Sequence, residues 1–236
     1  SVQGGAQQQQ QQQHTVLVIG GYGGVGSSRD FLMDMHALDL ATWTWTKIER
    51  VKGSIPRPRA DHTACVAGPQ LILVGGRGQP TKSHDGLFDD THALDLADHE
   101  WLRPLSAVPG EGRAASFAAL PSPLWNHSAV AIESVPAHKV FVWGGQRGLA
   151  HYSQALLMLD TGRMQWSALN AVGAPPPARE DCGVAYDAKT CNLILFGGWA
   201  QGWLGDLWLL NVAGIVGPAY AVTGVSPATG PVTGNT

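Results

Sequence analysis

The residues best suited to chemistry in this chain are a glycine cluster, nine histidines, a short acidic run and three cysteines. Gly21, Gly23, Gly24 and Gly26 fall in GYGGVG, which satisfies G-x-G-x-x-G directly after TVLVIG. In a strand-turn-helix such glycines let a dinucleotide pyrophosphate approach a helix N-terminus, and SSRDFLMDMHAL could serve as that helix. Asp85, Asp89, Asp90 and His92 put carboxylates and an imidazole close enough to hold a cation, or else form a solvated loop entering a strand. The solvated loop is the expectation. The histidines show no HExxH motif or compact ligand spacing, and no Ser-His-Asp arrangement stands out. Cys182 and Cys191 invite a bridge. A hairpin turning near Ala188 and Lys189 sets Cys191 opposite about Tyr186 and Cys182 opposite about Leu195, so the two miss each other. With Cys65 they are expected as free thiols, compatible with a reducing compartment.

The elements that position these residues recur. Four short apolar runs each end in a double glycine: VLVIGG (Gly20, Gly21), LILVGG (Gly75, Gly76), VFVWGG (Gly144, Gly145) and LILFGG (Gly197, Gly198). Downstream come MHALDLATWTWTKI, THALDLADHEWLRPL, LLMLDTGRMQWSAL and DLWLLNVAG. Asp39 precedes Trp45 by six residues, as Asp95 precedes Trp101 and Asp160 precedes Trp166. In the fourth unit Asn211 takes the aspartate position and no tryptophan matches. Upstream, PRPRADHTA, LWNHSAV and PPPAREDCGVAY place His62 and His127 at one repeat position and Arg59 and Arg179 at another. His36 and His92 share a third position. Each unit reads as four strands, with the double glycine closing the second. A strand apolar at consecutive positions is covered on both faces, as blades stacked around an axis would be. The dinucleotide reading weakens accordingly, because the same apolar-Gly-Gly segment returns three times without the fingerprint. Arg59 and Arg179 are expected to make a blade-edge hydrogen bond or ion pair. The three aspartates are expected to end the third strand and organise its turn.

Composition agrees with a large all-β domain. Thirty glycines, fifteen prolines and nine tryptophans accompany a charged fraction of 14%, against roughly 25% in ordinary globular proteins. A net charge of −3 gives no overall basic field for nucleic acid. No apolar run is long enough to span a membrane. The chain begins at Ser1 rather than methionine, so the lack of a leader carries no weight.

These motifs resemble the kelch repeat, over about residues 15–212. The resemblance implies a kelch-type β-propeller of four recognisable blades, the first lacking its first strand and the last its tryptophan strand. Kelch propellers close with five to seven blades, which points to further blades elsewhere; closure across the two ends is the alternative. Residues 1–14, with the glutamine run, are expected as a flexible entry. In residues 213–236, Gly224, Val225, Ser226, Pro227, Gly230, Pro231 and Gly234 resemble the opening of an IPT/TIG immunoglobulin-like domain. The family also includes copper radical oxidases of the galactose oxidase type and iron-dependent specifier proteins. A copper oxidase needs a Cys-Tyr crosslink, a second tyrosine and axial histidines. His151 beside Tyr152 is the nearest hint among Tyr22, Tyr152, Tyr186 and Tyr220.

Strand alternation sends the second-to-third connections and the blade-to-blade connections to one end. Both kinds are long here, whereas the first hairpins turn through AGPQ and DAKT. Partner-binding candidates on that end are Trp203, Trp199, Tyr152, Arg147, Arg77, His84, Arg113, Phe117 and Trp125. Tyr22 and Trp199 directly follow a double glycine and are expected to pack structurally; Trp203 has no counterpart. The leading reading is a noncatalytic protein–protein scaffold in a larger intracellular assembly, cytoskeletal or ciliary in setting. It expects no cofactor and no metal, and neither nucleic acid nor membrane as partner. The enzyme alternative is a copper radical oxidase.

Overall fold

A computed structural model describes residues 14–82, 85–102, 119–148 and 151–217. Four sheets, antiparallel except for one edge pair, follow one another along the chain. β1 (Thr15–Gly23), β2 (Asp30–Asp39) and β3 (Thr44–Lys47) form the first. β4 (Lys52–Gly53), β5 (Thr63–Ala67), β6 (Gln70–Val74), β7 (Thr91–Asp95) and β8 (Glu100–Trp101) form the second. The third holds β9 (Ser128–Ile132), β10 (Lys139–Trp143), β11 (Leu156–Asp160) and β12 (Gln165–Leu169). The fourth holds β13 (Gly183–Asp187), β14 (Asn192–Trp199) and β15 (Trp203–Asn211), followed by α1 (Ala213–Val216). Among the described residues, the first and last sheets have three strands each. β4, which runs parallel to β8 along the outer edge, has no signal in the repeat pattern.

Three layers of apolar side chains hold the blades together. Ile19 and Met35 of the first pack with Leu71, Leu73, Leu94 and Trp101 of the second. Ile72 and Val74 meet Val140 and Val142 of the third. Phe141 and Trp143 meet Leu193 and Leu195 of the fourth. Alternate residues of each second strand therefore serve opposite neighbours, which is why these strands read as unbroken apolar runs. The fourth-strand tryptophans wedge backwards onto the preceding blade. Trp101 is fully buried there, and Trp166 donates its Nε1–H to Thr91 Oγ1 at 3.0 Å. In the last blade Val212 and Val216, around α1, take up that place.

The fixed Asp-to-Trp interval is a turn. Asp95 Oδ1 accepts from the amides of Ala97 and Asp98, and Asp39 and Asp160 do the same two and three residues on. The next residue, Trp43, His99 or Met164, is left-handed with φ near 50°. The double glycines sit where backbones approach. A Cβ on Gly75 would lie 2.4 Å from Leu124 O of the next unit, and one on Gly76 2.6 Å from Ala60 O of its own unit.

Several expectations are corrected. The long second-to-third connection expected in the first unit is mostly strand: Gly21 and Gly23 lie inside β1, and after a 3-10 turn at Gly26–Ser28 the segment SSRDFLMDMHAL, the helix of the discounted dinucleotide reading, enters β2. In the first and last blades the second strand runs through its double glycine across a register shift. The β13–β14 hairpin turns one residue later than expected, which shifts the pairing by two: Tyr186 faces Leu193, and Val184, not Cys182, faces Leu195. All three cysteines are free.

Candidate partner-binding end

The double glycines deliver the chain to one end of the blades. There each described complete unit adds a short rung beyond its main sheet. Ala60, Arg77 and Leu87 pair in the second unit, and Trp125, Gln146 and Tyr152 in the third. In the fourth, Glu180 pairs with Trp199, which pairs with Trp203. Tyr22 against Phe31 holds the same place in the first unit. These rungs are made by backbone bonds, such as Arg77 N–H to Ala60 O at 2.9 Å and Trp199 N–H to Glu180 O at 2.8 Å. Regular backbone pairing, not loop wandering, therefore fixes the side chains at this end.

Arg77, Trp125, Tyr152, Trp199 and Trp203 thus share one layer. The Arg77 guanidinium lies 4.9 Å from the Trp125 ring centre, a favourable cation–π distance. It also donates to Asp61 through Nε. Trp199 and Trp203 meet edge-to-face at 5.0 Å. Trp203 is 82% exposed, and Arg147 is also exposed. Strand alternation places Trp199 and Trp203 in a loop; instead they end β14 and start β15 as cross-strand partners around a short turn. His84, Arg113 and Phe117 lie outside the described residues, as do the glutamine run and the IPT/TIG-like stretch.

Nearer the axis, the first strands β5, β9 and β13 lie against each other in succession. The residues just before them are linked from blade to blade: Asn126 N–H donates to Asp61 O and Asp181 N–H to Asn126 O, both at 3.0 Å. All three are left-handed. Glu180 accepts from Asn126 Nδ2 at 2.8 Å and Gln146 Nε2 at 2.7 Å. Burial, with Glu180 and Asp61 nearby, pushes the Asp181 carboxyl up. The centre of this end is therefore acidic and its surround aromatic.

The remaining polar residues of the sequence motifs are structural. Asp90, expected in a solvated loop, is buried between Arg59 and His92. The reason is the fully buried Arg59, which reaches Asp90 at 2.5 and 3.0 Å and Gly75 O at 2.8 Å. Burial raises the Asp90 carboxyl, but the Arg59 and His92 hydrogen bonds and charges outweigh it and hold it low. Arg179 repeats the arrangement with Asp206 and Gly197 O. Asp206 stands five residues before Asn211 as Asp90 stands five before Asp95, a spacing that could have revealed the pair. In the third unit Leu124 and Ala155 occupy these two positions, exchanging the ion pair for apolar contact.

His127 Nε2 lies 2.8 Å from Thr63 Oγ1. Burial and Arg59 push His62 down to about 4; burial and His62 push His127 down to about 3. Burial raises the Cys65 thiol to about 11 and also raises that of Cys182. Among the described residues, no group of three or more His, Cys, Asp or Glu side chains converges as a metal-ligand set. No described helix is long and apolar enough to cross a membrane.

The KLHDC2/KLHL20/DRC7 Kelch-repeats domain matches residues 3–120 and again residues 112–229. The dynein alpha chain of the flagellar outer arm of Chlamydomonas reinhardtii is 36% identical over 231 residues, covering 94% of this chain and 5% of that protein. Acyl-CoA-binding domain-containing protein 4 of Arabidopsis thaliana is 33% identical over 80% of this chain and 26% of its own length. The host cell factor homolog hcf-1 of Caenorhabditis elegans is 29% identical over 79% and 24%. The chain spans between about a twentieth and a quarter of these relatives.

Proposed function

The chain belongs to the kelch-repeat family, and we propose that it is a noncatalytic protein-interaction module whose aromatic end captures a partner within a larger assembly. The observation that carries this reading is the single layer holding Arg77, Trp125, Tyr152, Trp199 and Trp203. Aromatic side chains on a rigid backbone make strong interface anchors because little entropy is lost in ordering them, and the Arg77 guanidinium is already held by Trp125 and Asp61. Arg147 is proposed to extend that surface, and His84, Arg113 and Phe117 are proposed as further partner contacts.

The likeness to a flagellar outer-arm dynein chain favours a cytoskeletal setting, with the axoneme as the source of the partner. Co-sedimentation of the purified chain with isolated flagellar axonemes tests this. The wild-type chain is expected in the pellet. A Trp125→Ala/Tyr152→Ala variant with an intact melting transition is expected to bind at least about tenfold more weakly. A wild-type chain that stays in the supernatant, or a variant that binds equally well, contradicts the reading.

A further inference from the structure

Two internal blade junctions, second to third and third to fourth, are built alike at the glycine end, yet their charges do not balance alike. In both, the residue after the double glycine meets the entry segment of the following blade. At the first junction Arg77 lies over the Trp125 ring and donates to Asp61, so a cation and a carboxylate cancel. At the second, Gln146 stands in place of Arg77, Glu180 in place of Trp125 and Asn126 in place of Asp61. Gln146 Nε2 and Asn126 Nδ2 both donate to Glu180 Oε2, at 2.7 and 2.8 Å. Both donors are neutral amides, so they fix the carboxylate without compensating its charge.

Among the described residues, Asp90 and Glu180 are the buried carboxylates, 8% and 7% exposed. Asp90 is met by Arg59 and His92. Outside the core, Asp160 still has Lys139 at 2.6 Å and Asp206 has Arg179 at 2.8 Å. Glu180 has no ion-pair partner among the described residues. Its other oxygen, Oε1, makes no hydrogen bond and is not sealed from solvent. A carboxylate withdrawn from water without a cation is costly. Asp181 beside it is likewise without a cation and adds to the negative potential. Backbone pairing places aromatic rings next to this charge: Trp199 pairs with Glu180, and Tyr152 with Gln146. Paired residues carry their side chains on one face. A carboxylate next to aromatic rings suits an ammonium or guanidinium, which gains an ion pair and a cation–π contact together. Arg77 on Trp125 and Asp61 is the same recognition made within the chain.

We propose that Glu180 receives a lysine or arginine side chain of the partner protein, flanked by Tyr152 and Trp199. The proposal rests on the aromatic end being the end that captures a partner, and adds that the captured segment is basic. Both residues that hold Glu180 come from the third blade, so the acceptor is complete within an internal junction.

A random-peptide phage library selected on the purified chain tests the proposal, with Glu180→Gln and Trp125→Ala/Tyr152→Ala chains alongside. The amide keeps an acceptor oxygen for Asn126 and Gln146, so Glu180→Gln should melt no lower than the wild type. The wild type is expected to enrich peptides with Lys or Arg at one fixed position beside an apolar or aromatic residue. Synthetic versions should bind Glu180→Gln at least about tenfold more weakly in fluorescence titrations. Replacing their basic residue by methionine should weaken binding to the wild type by a similar factor and cost little further in Glu180→Gln. Enriched peptides without a basic residue, equal binding to both chains, or no enrichment overturn the proposal. So does a Glu180→Gln chain that melts clearly lower, because the charge then serves the fold. Peptides that lack a basic residue but are weakened by Trp125→Ala/Tyr152→Ala would overturn the proposal and leave the aromatic end as the binding end. Peptides indifferent to those two changes would overturn both.

Discussion

Arg59 and Arg179 show how a repeat position becomes a buried ion pair. Each arginine ties its own entry segment to a glycine carbonyl and to the aspartate that opens the third strand. The third unit uses Leu124 and Ala155 instead, so the fold accepts either solution provided both partners change together. Arg59→Leu alone strands Asp90 in the interior and is expected to cost about 3–5 kcal/mol. Arg59→Leu combined with Asp90→Ala should cost clearly less, and chemical denaturation of the two variants compares them. The buried histidines set the pH response. His62 and His127 are held near 4 and 3 in the fold, while unfolded imidazole titrates near 6.5. Below that value the unfolded chain binds more protons than the folded one, so stability is full above it and falls as pH drops. Melting curves between pH 7 and about 4.5 should show a loss of roughly 2 kcal/mol or more, and His127→Gln should flatten the slope. A flat wild-type profile would contradict this placement of the two rings. The arginine positions are legible in the sequence. Their aspartate partners are not, because Asp90 sits among Asp85, Asp89 and His92 and looks like part of a solvated run.

At the scale of the element, sequence periodicity carries the strand order and the turn geometry. The six-residue Asp-to-Trp interval is a turn with two side-chain-to-amide bonds and one left-handed residue, which leaves no freedom in its length. Extensions past the double glycines are harder to read. Whether β1 and β14 continue depends on where β2 and β15 pair, and no local pattern fixes that. Trp199 and Trp203 consequently look like loop residues in the sequence although they are cross-strand partners. The glycines offer a graded test. Gly76 has φ near 97° and lies against Ala60 O and His62, whereas Gly21 has a similar φ and open space. Gly76→Ala should therefore carry both backbone strain of about 1–3 kcal/mol and a clash, while Gly21→Ala carries the strain alone. Equal losses of stability would argue against the close approach as the reason for the double glycine.

For the whole molecule, the repeat explains more of the chain than any catalytic motif does. The glycine fingerprint belongs to the first β-hairpin, and His62, His92, His127 and the buried arginines serve the packing of the blades. What remains for function is the layer at the glycine end. That the described candidates gather at one end is legible, because strand alternation and loop length put the long connections together. The side-chain arrangement is not, since the Arg77–Trp125 and Trp199–Trp203 contacts join residues far apart in sequence or across a turn with no sequence signal of its own. Site-specific photo-crosslinking tests the proposed interaction end most directly. Benzoylphenylalanine is placed at Tyr152, in the aromatic layer, or at Arg163, in the exposed turn at the opposite end of the same blade. With isolated axonemes, the Tyr152 position is expected to yield a discrete crosslinked partner and the Arg163 position none; equal crosslinking from both positions, or adducts only from Arg163, would contradict the account.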